Sequence, residues 1–202
     1  RADAGAPLLR IEGPANALLT AERTALNIVQ FMSGIATLTR AYVERIAGTG
    51  AVLLDTRKTL PGLRLLSKYA TRMGGATNHR LRLDDGILIK DNHVAVAGGI
   101  AEAVRRARAA NTGQADVRVE CDTLDQVHEA LAAGADSILL DNMAPAALGE
   151  AVRLAAGRVP LEASGGVTLE NIRAIAETGV DFISTGRITQ AAPAADIGLD
   201  IA

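Results

Sequence analysis

Hydrophobic positions along this chain follow two different rhythms. From Ala15 to about Gly48, Leu18, Leu19, Ala25, Leu26, Val29 and Met32 recur at three- and four-residue spacing, as on a helix with one buried face. Ser33-Gly34 interrupts the stripe. The spacing therefore predicts two helices, the second capped by Ser33, running to Ala47 and closed by Gly48 and Gly50. Arg23 lies in the first and reads as a surface arginine. Ahead of them, Leu8–Glu12 alternates as a short strand that Gly13-Pro14 ends.

After Gly50 the chain alternates. Short apolar runs stand at Ala51–Asp55, Gly86–Lys90, Val117–Cys121, Ser137–Asp141, Pro160–Ser164 and Phe182–Gly186. Helical patterns fill most of the gaps, at about Pro61–Met73, Gly99–Ala110, Leu124–Ala133, Pro145–Ala156 and Leu169–Thr178. Such alternation predicts a parallel sheet covered on its outer face. Six strands in right-handed succession make either an open barrel or a doubly wound sheet. The polar residues choose between them. Every strand ends in something chemically pointed: Asp55-Thr56-Arg57-Lys58, Lys90-Asp91-Asn92-His93, Glu120, Asp141-Asn142, Ser164-Gly165-Gly166 and Thr185-Gly186. Chemistry spread over all the carboxyl ends belongs to a barrel. A doubly wound sheet would carry a phosphate fingerprint after its first strand, and neither GxGxxG nor GxxxxGK[ST] occurs. The expected fold is α/β, a six-stranded open barrel of parallel strands.

Composition narrows the setting. The 202 residues suffice for one full core, and the 49% hydrophobic fraction with 20 Gly suits a compact α/β protein. Cys121 is the only cysteine, so no intrachain disulfide can form and a cytoplasmic location is expected. No apolar run reaches the length of a membrane span, and no signal-peptide pattern opens the sequence. The chain begins at Arg1 rather than Met, within what reads as a strand region, so a portion N-terminal to it is expected to be missing.

Charge is concentrated. Asp55–His93 holds eight Lys/Arg against four acids, plus His79 and His93, in a chain of net charge −2. A local cationic excess in a mildly acidic protein suits a multiply charged small anion. Nucleic acid would need a broad basic face and stacking aromatics, and the chain has two Phe, two Tyr and no Trp. Neither nucleic acid nor membrane is an expected partner. Arg64, Lys68 and Arg72 read as a solvated helix face. Arg57, Lys58 and Lys90 stand at strand ends and point into one mouth, with Arg80 in a loop opened by Gly74-Gly75.

Ser164-Gly165-Gly166 lies between a strand and a helix, where backbone N–H groups can converge on an anion; Gly186 ends the next strand. Phosphate commonly binds at the last two βα loops of a barrel. Glu120 and Asp141 end adjacent strands, and acids there need Mg²⁺, sugar hydroxyls or a cation such as Arg57 or Arg80. His128, Asp84 and Asp85 read as surface and turn residues.

These segments resemble the quinolinate phosphoribosyltransferase family, the carboxylating nicotinate-nucleotide pyrophosphorylases. The likeness is carried by ERTALNIVQFMSGIAT, DTRKTLPGLR, MGGATNHR, LIKDNH, VRVECDTLDQ, ILLDNM, LEASGGVT and TGVDFISTG, in this order from about Gly13 to Asp200. The resemblance implies an open α/β barrel over residues 15–202, with 1–14 a remnant of a small N-terminal domain or a connecting strand. It implies a homodimer whose active site is shared. Arg57, His79, Arg80 and Lys90 would surround the carboxylates of quinolinate, with Arg23 supplied by the partner. Lys58 would face the pyrophosphate of phosphoribosyl pyrophosphate (PRPP). Glu120 and Asp141 would hold the ribose hydroxyls and the surroundings of Mg²⁺, and Ser164, Gly165, Gly166 and Gly186 the 5′-phosphate. Lys58, Lys90, Glu120 and Asp141 are thus the expected catalytic group. Asn16, Ala76, Arg82, Arg118 and the run Arg187–Gln190 differ from the family's usual residues. Three rival readings use the same residues. They are a paralogue acting on another heterocyclic acid, an aldolase-like barrel with Lys90 as Schiff-base nucleophile, and a non-catalytic phosphoribosyl-binding module.

Overall fold

The computed structural model describes residues 2–111 and 115–201. Six parallel strands form one sheet: β1 (Val52–Leu54), β2 (Ile87–Ile89), β3 (Val117–Cys121), β4 (Ser137–Asp141), β5 (Leu161–Ser164) and β6 (Phe182–Ser184). Their spatial order is β1-β6-β5-β4-β3-β2. Neighbours in sequence are neighbours in space all the way round, except that β1 pairs with β6 and not with β2. This is the expected barrel, open at one seam.

Register shows which way each strand faces. Ile89, Val117, Val119, Cys121, Ile138, Leu140, Leu161, Ala163, Ile183 and Leu53 fall on one face and belong to a single buried apolar cluster, with Ile87 packed against it. The helices pack on that face. Those after β1 are α2 (Arg64–Gly74), and after β2 α3 (Asp91–Ala97) and α4 (Ile100–Ala110). The rest are α5 (Leu124–Ala132), α6 (Pro145–Ala155), α7 (Ile172–Ala176) and α8 (Arg187–Gln190). The alternate residues, Arg118, Glu120, Asp141, Glu162, Ser164 and Ser184 among them, share the opposite, inner face. Because side chains alternate along a strand, one apolar face suffices to fix the register. Burial pushes the Cys121 thiol up to about 12, as for an inert core cysteine.

Three expectations are corrected. Residues 8–12 are not a strand; they run exposed with no ladder partner among the described residues, and Leu9 is 78% accessible. An alternating pattern cannot hold a strand without a neighbour to receive its backbone hydrogen bonds. The two N-terminal helices are one, α1 (Ala15–Arg45), which passes through Ser33-Gly34 unbroken. Gly34 serves a close approach there: a Cβ on it would stand 1.9 Å from the Pro193 carbonyl oxygen. The segment after α8 crosses α1 at this point, with the Ala195 N–H donating to Gln30 O (3.0 Å) and Gln30 Nε2 to Ile197 O (2.7 Å). Last, α7 is confined to Ile172–Ala176, shorter than its pattern, and α3 was not expected.

Gly34→Val should push the 193–197 segment off α1. Overpacking of this kind costs about 1–3 kcal/mol, and chemical denaturation should show a lowered midpoint.

Candidate active site

The residues after β1 are set by one carboxylate. Asp55 directly follows Leu54, so strand alternation turns it outward, between β1 and α2, where it is fully buried. Its Oδ1 accepts from Lys68 Nζ (2.5 Å) and from the His79 backbone N–H (2.8 Å). Its Oδ2 accepts from Thr71 Oγ1 (2.9 Å) and Asn78 Nδ2 (2.7 Å). Lys68 Nζ also donates to the His79 carbonyl (2.8 Å). Lys68 is thus no surface cation, although Arg64 and Arg72 beside it are exposed as expected. Burying an ion pair is tolerable only when the remaining lone pairs find donors, and here they do.

This hub fixes the segment that fills the seam. The Thr77 N–H donates to Leu53 O (2.9 Å) and the Asp55 N–H to Thr77 O (3.3 Å), making a single parallel bridge beside β1. Asn78, His79 and Arg80 follow. His79 and Arg80 line a cavity of about 260 Å³ at the seam, with Arg118 of β3 and the apolar walls of Leu54, Leu88 and Phe182. Arg80 Nη1 donates to the Gly86 carbonyl (3.0 Å). Burial, then the charges of Arg57 and Arg118, draw Arg80 below the usual guanidinium range. Asp85 is a turn residue: its Oδ2 accepts from the N–H groups of Leu81 (2.6 Å) and Arg82 (2.9 Å).

The other predicted residues stand along the strand carboxyl ends. Lys90, one past β2, forms an ion pair with Glu120 of β3. His93 Nδ1 accepts the Lys90 backbone N–H (2.9 Å), so the start of α3 fixes the lysine at the rim. Glu120 therefore pairs with Lys90, not with Arg57 or Arg80. Lys90 is 47% exposed and ion-paired, unlike the lysine of an apolar pocket that Schiff-base catalysis employs. Asp141 ends β4 and accepts from Asn142 Nδ2 (2.6 Å). Next to it, the Asn142 N–H donates to Ser164 O (2.9 Å), locking the end of β4 to the glycine loop.

That loop requires its first glycine. Gly165 has φ +83°, and a Cβ there would lie 2.3 Å from Asn142 Oδ1. Gly186, after β6, has an ordinary φ of −77°; what it admits is Lys58, whose Cδ would stand 3.0 Å from an added Cβ. Thr189 Oγ1 of α8 donates to the Lys58 carbonyl (2.6 Å) and holds the residue there. Round the rim, then, come Lys90, Glu120, Asp141, Ser164, Gly165, Gly166, Gly186 and Lys58. Arg57 is half-buried beside this group, close enough to act on Arg80. Arg23 is exposed on α1, and none of its hydrogen bonds or ion pairs reaches the rim among the described residues.

Residues the sequence did not single out as functional complete the inner face below the rim. Glu162 of β5, 2% exposed, pairs with Arg118, and His79 Nε2 lies 3.3 Å from the same oxygen. Arg118 Nε donates to Ser137 Oγ (2.9 Å). Burial alone would raise the Glu162 carboxyl. Hydrogen bonding and charge from His79, the Arg118 charge and a hydrogen bond from Ser184 outweigh it and hold the carboxyl below the usual range. Glu162 follows an apolar run and precedes two small residues, so only the two-residue alternation inward could have revealed it.

A parallel α/β barrel with its ionisable side chains gathered at the strand carboxyl ends defines the class: barrel enzymes that act at that rim. The model of the quinolinate phosphoribosyl transferase C-terminal domain matches residues 35–200, and that of the N-terminal domain residues 1–33. The chain is 50% identical over 204 residues to a nicotinate-nucleotide pyrophosphorylase [carboxylating] of Mycobacterium leprae, covering all of this chain and 72% of that protein. It is 46% identical over 197 residues to a probable enzyme of the same name from Bacillus subtilis, covering 98% and 68%. A crystal structure of nicotinate-nucleotide pyrophosphorylase from Ehrlichia chaffeensis superposes with TM-score 0.88 at 47% identity, covering 92% of this chain and 67% of that one. This chain belongs to the quinolinate phosphoribosyltransferase family, and it spans about two thirds of the length of these relatives.

Asp55→Asn should leave Lys68 buried without its counter-charge. Such a break costs about 3–5 kcal/mol, so a large drop in the denaturation midpoint is expected, with Gly34-side packing untouched.

Proposed function

We propose that the chain transfers the phosphoribosyl group of PRPP to the ring nitrogen of quinolinate, with release of pyrophosphate and CO₂, giving nicotinate mononucleotide for NAD biosynthesis. The observation that carries this reading is the order of charges round one rim: cations, two acids, then a glycine-lined loop, on a chain of this family. Arg57, His79, Arg80 and Lys90 take the two carboxylates, and Arg23 of a second subunit completes the set. Arginine forks match carboxylates two bonds at a time, while lysine acts as a point charge. The loop of Ser164, Gly165 and Gly166, with Gly186, holds the 5′-phosphate through its backbone N–H groups. Lys58, lying against Gly186, faces the pyrophosphate.

Glu120 and Asp141 bind the ribose hydroxyls. As the bond from ribose C1 to pyrophosphate breaks and that to the ring nitrogen forms, positive charge develops on the sugar, and these carboxylates stabilise it. Lys58 stabilises the departing negative charge. The product of this step is a pyridinium, whose positive nitrogen stabilises the electron pair left on the adjacent ring carbon when its carboxylate departs as CO₂; that carbon then takes a proton from water. The chain's part is to orient and to exclude water, and orientation supplies much of the rate.

Among the described residues no cluster of three or more His, Cys, Asp or Glu could hold a metal ion. Two rim carboxylates fit Mg²⁺ of the kind completed by substrate phosphate oxygens; bound through Glu120 and Asp141, it would neutralise pyrophosphate charge. A homodimer with a shared site follows from assigning Arg23 to the partner. A cytoplasmic setting fits the lone buried Cys121, and among the described residues no helix is long and apolar enough to cross a membrane.

Incubation with quinolinate, PRPP and Mg²⁺ should yield nicotinate mononucleotide, pyrophosphate and CO₂ in equal amounts. Lys90→Ala should lower kcat/KM for quinolinate at least 100-fold, since it removes a charge-assisted contact and unpairs Glu120. PRPP binding without pyrophosphate release would point to the non-catalytic module. Unchanged kinetics in Lys90→Ala would refute the lysine's role.

A further inference from the structure

Beneath the rim lies a charge pair that the proposed reaction does not use. Arg118 and Arg80 line the same seam cavity as His79. The Arg118 guanidinium bonds Glu162 and Ser137 Oγ, and its Nη1 lies 2.7 Å from His79 Nε2. The Arg80 backbone N–H donates to His79 Nδ1 (2.6 Å), and His79 Nε2 faces both Arg118 Nη1 and Glu162 Oε2, the latter at 3.3 Å. Glu162 sits two residues before Ser164, and Arg118 two residues before Glu120, both on the inner face. A buried carboxylate thus stands against the histidine, and its charge acts on the arginine, that are assigned to a dianionic substrate.

We propose that Arg118 is a charge-compensating positioning residue for dicarboxylate binding: by neutralising Glu162 it keeps the floor beneath His79 and Arg80 from repelling the substrate. The inference rests on the quinolinate reading above. The Arg118–Glu162 pair has no net charge. Without the guanidinium, an ionised Glu162 would lose its ion-pair partner, with His79 against it and Arg80 the remaining guanidinium that feels its charge. In a water-poor interior the field of that uncompensated charge reaches the carboxylates above it with little screening. Glu162 lies on β5 two residues below Ser164, so its charge acts beneath the phosphate loop as well, and the restoring double variant is what separates charge from structure.

Calorimetry of quinolinate and of PRPP, each titrated alone into the whole protein, tests this. Arg118→Met should weaken quinolinate binding at least ten-fold. Adding Glu162→Gln to the same chain should restore quinolinate binding to within about three-fold of wild type, because the pair is again neutral. Arg118→Lys, which keeps the charge, should fall between wild type and Arg118→Met. Should Arg118→Met alone fail to fold, the double variant decides: near-wild-type binding supports the proposal, and a ten-fold loss overturns it. Equal quinolinate binding by wild type and Arg118→Met also overturns it. A wild-type chain that binds PRPP but no quinolinate overturns instead the substrate reading beneath.

Discussion

Four donors converge on the Asp55 carboxylate, and the arrangement of the seam depends on them. The strand supplies the acid, α2 supplies Lys68 and Thr71, and the returning segment supplies Asn78 and the His79 amide. A carboxylate buried with fewer partners would cost several kcal/mol; with both oxygens doubly engaged it becomes a joint between three pieces of chain. Its consequence is positional. His79 and Arg80 belong to no regular element, yet their backbone is tied to the strand that opens the barrel. A segment held this way can present side chains with a precision that loops ordinarily lack.

The barrel itself is built with its chemistry inward. Helix-facing strand positions are apolar without exception among those in the core cluster, whereas the facing interior carries Arg118, Glu120, Asp141, Glu162 and Ser184. An interior of this kind cannot be stabilised by apolar burial alone, so its ionised groups need counter-charges or hydrogen-bond donors. Lys90 with Glu120 at the rim and Arg118 with Glu162 below it are two such pairs. The upper pair is partly exposed and open to exchange with substrate. The lower is enclosed and structural in geometry. Leaving the barrel open between β1 and β2 makes room for His79 and Arg80 to enter from the side.

Much of this was legible in the sequence. The six strands appear where short apolar runs predict them, because outer-face burial is written directly into residue type. Lys90, Glu120 and Asp141 were recognisable for the same reason, each closing an apolar run and standing at the rim, whereas Asp55 closes its run in the same way but turns outward and is buried. What stayed hidden depends on partners distant in sequence. Lys68 carries the spacing of a solvated helix lysine, and only the presence of Asp55 across the gap buries it. Gly34 looks like a helix break until Pro193 is placed against it. Leu8–Glu12 has strand alternation but no neighbouring strand among the described residues. Glu162 and Arg118 sit inside apolar runs, where a single charge reads as an exception until its counter-charge on another strand is known.

The tie between Asp55 and the seam segment can be measured without substrate, by amide hydrogen exchange at His79 in the native protein. If the carboxylate fixes this backbone, the His79 amide should exchange as slowly as the amides of β1, although it lies outside any helix or strand. Exchange at the rate of the exposed turn at residues 82–84 would contradict the account, since the hydrogen bond that positions His79 and Arg80 would then be open most of the time.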